Sequence, residues 1–445
     1  MRISIVIPVL NEEAQIVSCL ERLQPMRSLG HEVIVVDGGS EDATRTLSAP
    51  LCDRLLRSRP GRAAQMNIGA RFAGSDVILF LHADSQLPEN AGQTVAEALA
   101  DRKPGWGWFD VRLSGRAPVY RLIGALMNLR ARLTAVCTGD QALFVSAELF
   151  HMAGGFPAIP LMEDIAISKK LRKLARPRPL AQKVSSSSRR WERNGVVRTI
   201  LQMWRLRLLY FFGAAPGKLA ARYYPQLFAD AGARFRFPSA RIAVFAREPK
   251  MGAVKTRLAA QIGAEAALRL YLAMLRRVVE TVEQAALAEF HLWAASDPEH
   301  EEFTALCNVQ DIRLQQGEDL GSRMHNAAAA ELAEEGVEYV LIVGSDCPAL
   351  TADYLGQALD ALSAGVEVVL GPSRDGGYIL IGLRQVSREL FSGVDWSGPG
   401  VLEQTLEKVR EAGLSHQLLE SSWDVDDAED LPLLEELRPP LSWSR

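Results

Sequence analysis

The sequence predicts an α/β fold of two tandem domains, each a mostly parallel sheet flanked by helices. Three observations carry this expectation. The chain has 445 residues, too many for one ordinary core and enough for two. Short, fully apolar runs alternate with helical patterns, which is how strands buried on both faces of a parallel sheet read. The pattern breaks at residues 226–240, after which a new apolar strand begins much as the first did.

The elements follow in order. Ile3–Ile7 reads as a strand and Glu12–Leu23 as a helix. Val33–Val36 reads as a second strand, followed by a helix from Glu41. Gly61–Phe72 is helical and Val77–Leu81 is a third strand. Beyond the break, strands are expected at Arg241–Phe245, His291–Ala295, Tyr339–Val343 and Val366–Leu370, with helices at Ala264–Glu280, Leu320–Glu334 and Tyr354–Leu362. The expected domains are 1–225 and 241–445, joined by a linker at 226–240. Their motifs differ, so they are two domains of similar architecture rather than a recent repeat. Sheets of this kind bind ligands beyond the carboxyl ends of their strands.

Composition narrows the function classes. Hydrophobic residues make up 48% and charged residues 23%, a globular balance. A net charge of -4 argues against nucleic acid as a partner. The charge is uneven: Lys169–Arg222 is basic and the last third is acidic. Five cysteines, none in a C-x-x-C pair, predict neither a disulfide framework nor a zinc site, and fit a reducing cytoplasm. The opening residues read as a buried strand rather than a signal peptide, and no run is long and apolar enough to span a membrane. The basic, aromatic helix expected at 196–217 either packs on its domain or makes a peripheral contact with the inner face of a membrane.

In the first half, IVIPVLNEEAQI, EVIVVDGGSEDAT and VILFLHADSQLP stand in order. Asp37 follows a β-branched run, and Asp84 follows a wholly apolar strand, so both belong at strand ends. Asp37-Gly-Gly-Ser also suits a plain turn, and Glu163-Asp164 also suits a helix's first turn. Arg62 opens a helix, where anions are favoured. The three motifs resemble the inverting family-two glycosyltransferases of the GT-A fold, the Rossmann-like architecture of nucleotide-diphospho-sugar transferases. GRAAQMNIGA, TGDQALFV and GGFPAIPLMEDI resemble, more narrowly, a bacterial branch associated with arsenosugar biosynthesis.

That resemblance implies a nucleotide-sugar donor met by Pro8, Asn11, Glu12, Asp37, Arg62, Asn67, Asp84 and Arg190. It implies Mg2+ or Mn2+ on Asp84, because a divalent cation neutralises a departing diphosphate. The general base would be Asp164, beside Glu163, and Gly139, Asp140 and Gln141 would line the acceptor side. Relatives often carry D-x-D where this chain has His82-Ala83-Asp84, and His82 is expected in the core. The acceptor is a small molecule or a lipid-linked one.

The second half carries VFAREPKMGAVKTRLA, QQGEDLGSRM, LIVGSDCPAL, GPSRDGGYILIGL and SWDVDDAEDL. Lys250, Lys255 and Arg257 flank a glycine after the first strand, where a nucleoside triphosphate fits, although the Walker spacing is absent. Asp346, Asp424 and Asp426 lie on two acidic loops that suit a divalent cation, and Asp427, Glu429 and Asp430 are expected to start the last helix. Asp375, Gly376 and Gly377 face the other substrate or form a plain turn. Cys347 is expected as a small buried residue. These strings resemble a second arsenosugar-associated branch, related to nucleotidyltransferases such as 2-phospho-L-lactate guanylyltransferase. The joint expectation is an enzyme whose second domain makes the activated donor that the first consumes. Two alternatives stay open: both halves transfer sugars, or the first only binds a nucleotide or a membrane.

Overall fold

The computed structural model describes residues 1–101, 104–214, 216–223, 235–396, 398–441 and 443. The chain divides into two compact units, Met1–Ala229 and Asp230–Arg445. Each holds one mixed sheet in which parallel pairs predominate.

The first sheet contains β1 (Ile3–Val9), β2 (Glu32–Asp37), β3 (Arg54–Arg57), β4 (Val77–Phe80), β5 (Ser85–Gln86), β6 (Trp106–Leu113), β7 (Phe144–Ser146) and β8 (Arg178–Ser186). Their order is β3-β2-β1-β4-β7-β6-β8-β5. The run β3-β2-β1-β4 is parallel, β7 pairs antiparallel with β4 and β6, and β6 pairs parallel with β8. Ile3, Ile5, Ile7, Val33 and Val35 have no exposed surface, because helices cover both faces of this parallel run.

The second sheet contains β9 (Ala240–Ala246), β10 (Glu289–Ala294), β11 (Ile312–Leu314), β12 (Tyr339–Gly344), β13 (Val368–Pro372), β14 (Tyr378–Leu383) and β15 (His416–Leu418). Their order is β11-β10-β9-β12-β14-β13-β15. With the two-residue β5 set aside, strand order and direction are the same in both sheets. The order reverses between β1 and β4, and again between β9 and β12. Each reversal leaves a crevice beyond the strands' carboxyl ends, where ligands of open α/β sheets sit.

Several elements depart from the sequence expectation. The helix expected from Glu41 is confined to Thr44–Ser48, because the Asp37 and Asp42 carboxylates hold the preceding residues in turns. Asp427, Glu429 and Asp430 open no α-helix; a 3-10 turn spans Leu431–Glu436, and the Asp430 carboxylate accepts the Asp426 and Asp427 amides. Phe237, within the expected linker, is buried in the core of the second unit. Residues 226–234 of that linker lie outside the described residues. The helix expected at 196–217 is two helices, Val196–Phe211 and Pro216–Tyr223.

Candidate functional site

In the first unit, the helix Arg62–Arg71 starts beneath the crevice and aims its first side chain into it. Arg62, His82, Asp84, Gly139, Asp140, Glu163 and Asp164 line one open cleft. Burial raises the Asp84 pKa, and the neighbouring Asp140 charge raises it further, while Arg62 opposes both. Glu12 is raised by burial and then by Asp84. The carboxylates of Glu12, Asp84 and Asp140 therefore crowd one region, with Arg62 as counter-charge.

His82 is not a core histidine. It lines the cleft, with Nδ1 3.9 Å from an Asp140 oxygen. Burial, then the Arg62 charge, lowers its pKa to about 4, so the ring is neutral near pH 7. The close approach of this ring requires Gly139: a Cβ there would lie 2.2 Å from His82 Cε1.

Glu163 and Asp164 open the helix Glu163–Leu174. The Asp164 carboxylate accepts from the Ile165 amide at 2.7 Å and the Gly139 amide at 3.3 Å. Burial raises its pKa, and the Arg207 charge counteracts this. Glu163, 7% exposed, is raised by burial and then by Asp164 to about 7. The Asp164 charge beside it thus favours the protonated form of Glu163.

Other expected contacts resolve differently. Asp37 is fully buried, and its carboxylate accepts the Gly39 and Ser40 amides, so its place is in the turn. Asn67 exchanges two 2.9 Å hydrogen bonds with the Phe156 backbone and braces that segment rather than facing a donor. Gln141 is fully buried in a capping box with Thr138, away from the acceptor side. Asn11 adopts φ 53° and accepts from the Glu41 amide, tying the β1 and β2 loops. Pro8 lies within β1. The Arg190 side chain lies outside the described residues.

Sequence reading missed Arg207 and Arg130. Arg207 lines the cleft beside Asp164 and makes no hydrogen bond or ion pair among the described residues. Burial, then Arg207, lowers the Arg130 pKa to about 10. The available signal was a lone arginine on the inner face of an amphipathic helix.

In the second unit, Asp346 follows β12, while Asp424 and Asp426 lie on the loop after β15. Carboxylate oxygens of all three lie within 4.8 Å of one another. The Lys255 ammonium sits 2.8 Å from both Asp346 and Asp426. Burial works against this charge, but the two carboxylates outweigh it and hold the pKa above the usual lysine value. Burial likewise opposes Asp346 ionisation, and Lys255 reverses the balance. Asp424 makes no ion pair among the described residues, and Lys255 acts on it only as a lesser influence. Burial, then Asp346, Asp426 and Asp375, push its pKa to about 7.

Lys250 is exposed on the loop before Lys255, and Arg257 is exposed in the first turn of the helix Thr256–Ile262. Tyr271, also missed, donates to the Arg247 carbonyl and accepts from the Arg247 amide, both at 2.8 Å, and so anchors this loop. Asp375-Gly376-Gly377 is the turn between β13 and β14, and its Asp375 charge reaches Asp424. Gly376 has φ 88°, and a Cβ there would lie 1.9 Å from the Pro399 carbonyl oxygen. Cys347 is buried, as expected.

Residues 4–143 match the model of glycosyl transferase family 2. Residues 278–398 match a family described as uncharacterized protein conserved in bacteria (DUF2064). An undecaprenyl-phosphate 4-deoxy-4-formamido-L-arabinose transferase of Aeromonas hydrophila is 33% identical over 107 residues, 22% of this chain and 33% of the relative. A succinoglycan biosynthesis protein of Rhizobium meliloti is 33% identical over 106 residues, 22% of this chain and 32% of the relative. The chain thus spans about a third of the length of these curated relatives. A crystal structure from Desulfovibrio desulfuricans G20, provisionally described as a nucleotide-diphospho-sugar transferase, is 32% identical. The match covers 44% of this chain and 86% of that one, with a TM-score of 0.41. The N-terminal unit therefore carries a family 2 glycosyltransferase domain, and the C-terminal unit carries a domain of an uncharacterized bacterial family.

Proposed function

We propose that the N-terminal unit transfers a glycosyl group from a nucleotide-sugar to an acceptor hydroxyl with inversion. The observation that carries this reading is the cleft itself. Arg62, Asp84, Asp140 and Asp164 line it together, at the point where strand order reverses. Arg62, at a helix N-terminus, receives the diphosphate. Asp84 and Asp140 are hard oxygen donors whose mutual repulsion a divalent cation relieves, and they fit Mg2+ or Mn2+. Bound there, such an ion supplies charge neutralisation for the departing diphosphate. Asp140 thus takes the place of the first carboxylate of D-x-D. Asp37 and Asn11 shape the loop that receives the nucleoside. Asp164 takes the acceptor proton.

We assign the C-terminal unit nucleotidyl transfer from a nucleoside triphosphate to a phosphorylated substrate. Asp346, Asp424 and Asp426 would hold its divalent cation, and Lys250, Lys255 and Arg257 would meet phosphates. The product of this unit would be the donor consumed by the first. The second reading, that both units transfer sugars, is favoured by their shared strand order. We take the acceptor as lipid-linked, in line with the undecaprenyl-phosphate relative, and the product as a glycoconjugate, arsenosugars included.

The test is calorimetric titration of the full chain with UDP and GDP, with and without Mn2+. Metal-dependent binding should be lost in Asp84→Asn and weakened roughly tenfold or more in Asp140→Asn. Asp164→Asn should keep binding but lose about 10²- to 10⁴-fold in transfer rate. Undiminished diphosphate binding by Asp84→Asn would sink the donor site as drawn.

A further inference from the structure

Two neighbouring helices of the N-terminal unit turn apolar stripes to solvent. Helix Pro118–Thr134 exposes Leu122, Leu126, Leu129 and Leu133, between 54% and 77%. Helix Val196–Phe211 exposes Leu201, Trp204, Leu208 and Phe211, between 59% and 76%. Steps of three and four residues are the signature of a helix face that is covered. Here the opposite faces are also packed: Ile123 and Met127 share a cluster with Val196 and Ile200. Each helix is therefore apolar on both sides. Exposed apolar surface on this scale marks an interaction site.

Charge selects the occupant. Residues 111–139 contain five arginines and no acidic residue. Residues 165–229 contain fifteen Lys and Arg and one acidic residue, Glu192. Arg121, Arg198 and Arg205 are exposed on the two striped helices. A second copy meeting this face symmetrically would set arginine against arginine. An anionic bilayer satisfies both halves of the pattern, since it takes leucine and tryptophan at the headgroup boundary and offers phosphates to arginine. The helix Val196–Phe211 is also read from inside, where Met203, Leu206 and Arg207 line the cleft that holds Asp164. It therefore separates the cleft from the striped surface by one helix thickness.

We propose that this face is a docking surface for an anionic lipid bilayer, with the two stripes seated at headgroup level and Arg121, Arg198 and Arg205 on lipid phosphates. An acceptor whose apolar tail stays in the lipid would reach Asp164 past Met203 and Leu206. This purpose rests on the glycosyltransferase reading; the docking itself does not.

The test uses the full chain and sedimented vesicles of phosphatidylcholine alone or with about one third phosphatidylglycerol. Binding is expected only to the anionic vesicles, and should weaken strongly in ~0.5 M salt. Leu126→Glu/Leu129→Glu and, separately, Trp204→Glu should each reduce binding about tenfold or more, with melting temperature and diphosphate titration unchanged. An intact chain that binds neither vesicle overturns the proposal. Light scattering then tells whether a second copy occupies the face. Equal binding by the variants overturns it as well. Vesicle binding without glycosyl transfer would instead overturn the catalytic reading and leave the docking surface standing.

Discussion

The Glu163–Asp164 pair shows what one buried proton does at the residue scale. Glu163 titrates near 7 in the folded chain, against 4.5 for an ordinary glutamate. Between those values the folded state holds a proton that the unfolded chain has released. Stability therefore falls as pH rises through this window: no cost below about pH 4.5, the full cost above about 7. A shift of this size corresponds to about 3 kcal/mol. Glu163→Gln removes the titration, so it should raise the melting temperature by several degrees at about pH 8 and by little at about pH 5. The same shift at both pH values would mean that Glu163 is not the proton carrier. Residue identity in the sequence pointed to this pair, but it could not reveal direction. Asn67 and Gln141 are of the right type and in the right motifs, yet their amides turn inward to backbone and capping partners.

At the scale of elements, the strands that the sequence revealed are those buried on both faces. Ile3–Val9, Val77–Phe80 and Tyr339–Gly344 are apolar runs because helices cover both sides. Arg178–Ser186, one of the strands left unread, buries only Val184 and Ser186 fully, so its residues carry no apolar period. The outer leucine stripe of Pro118–Thr134 escaped because apolar spacing on a helix is ordinarily read as core.

Loops after strands carry the chemistry, and Lys255 is the clearest case. It holds φ 47° at the start of the helix Thr256–Ile262, a left-handed conformation unfavourable for a side chain, and thereby points its ammonium between Asp346 and Asp426. A divalent cation among the three carboxylates would claim the same oxygens. Lys255→Met should cost about 1–2 kcal/mol, less than a fully buried pair because Asp346 and Asp426 are 36% and 45% exposed. Mg2+ should then restore the melting temperature of this variant more than it raises that of the parent chain. An equal Mg2+ response in both would show that the lysine and the metal do not share a site.

Over the whole molecule, two sheets of the same strand order place two carboxylate centres at equivalent reversals, one after β4 and one after β12. The sequence exposed both centres because Asp84 and Asp346 each follow an apolar strand. It could not expose the shared topology, since apolar runs do not state which strands pair, and the late strands β8 and β15 bury few residues. Equivalent positions do not imply equivalent chemistry: the first centre has Arg62 as its counter-charge and the second has Lys255. If the second unit makes what the first consumes, the two activities must separate cleanly by mutation. Pyrophosphate release from a nucleoside triphosphate and a sugar phosphate should fall ~100-fold or more in Asp346→Asn and persist in Asp84→Asn. Transfer from a preformed nucleotide-sugar should show the reverse. Release of nucleoside diphosphate by both units, each sensitive only to its own aspartate, would instead make this a chain of two glycosyltransferases, with the repeated topology as the sign of a repeated reaction.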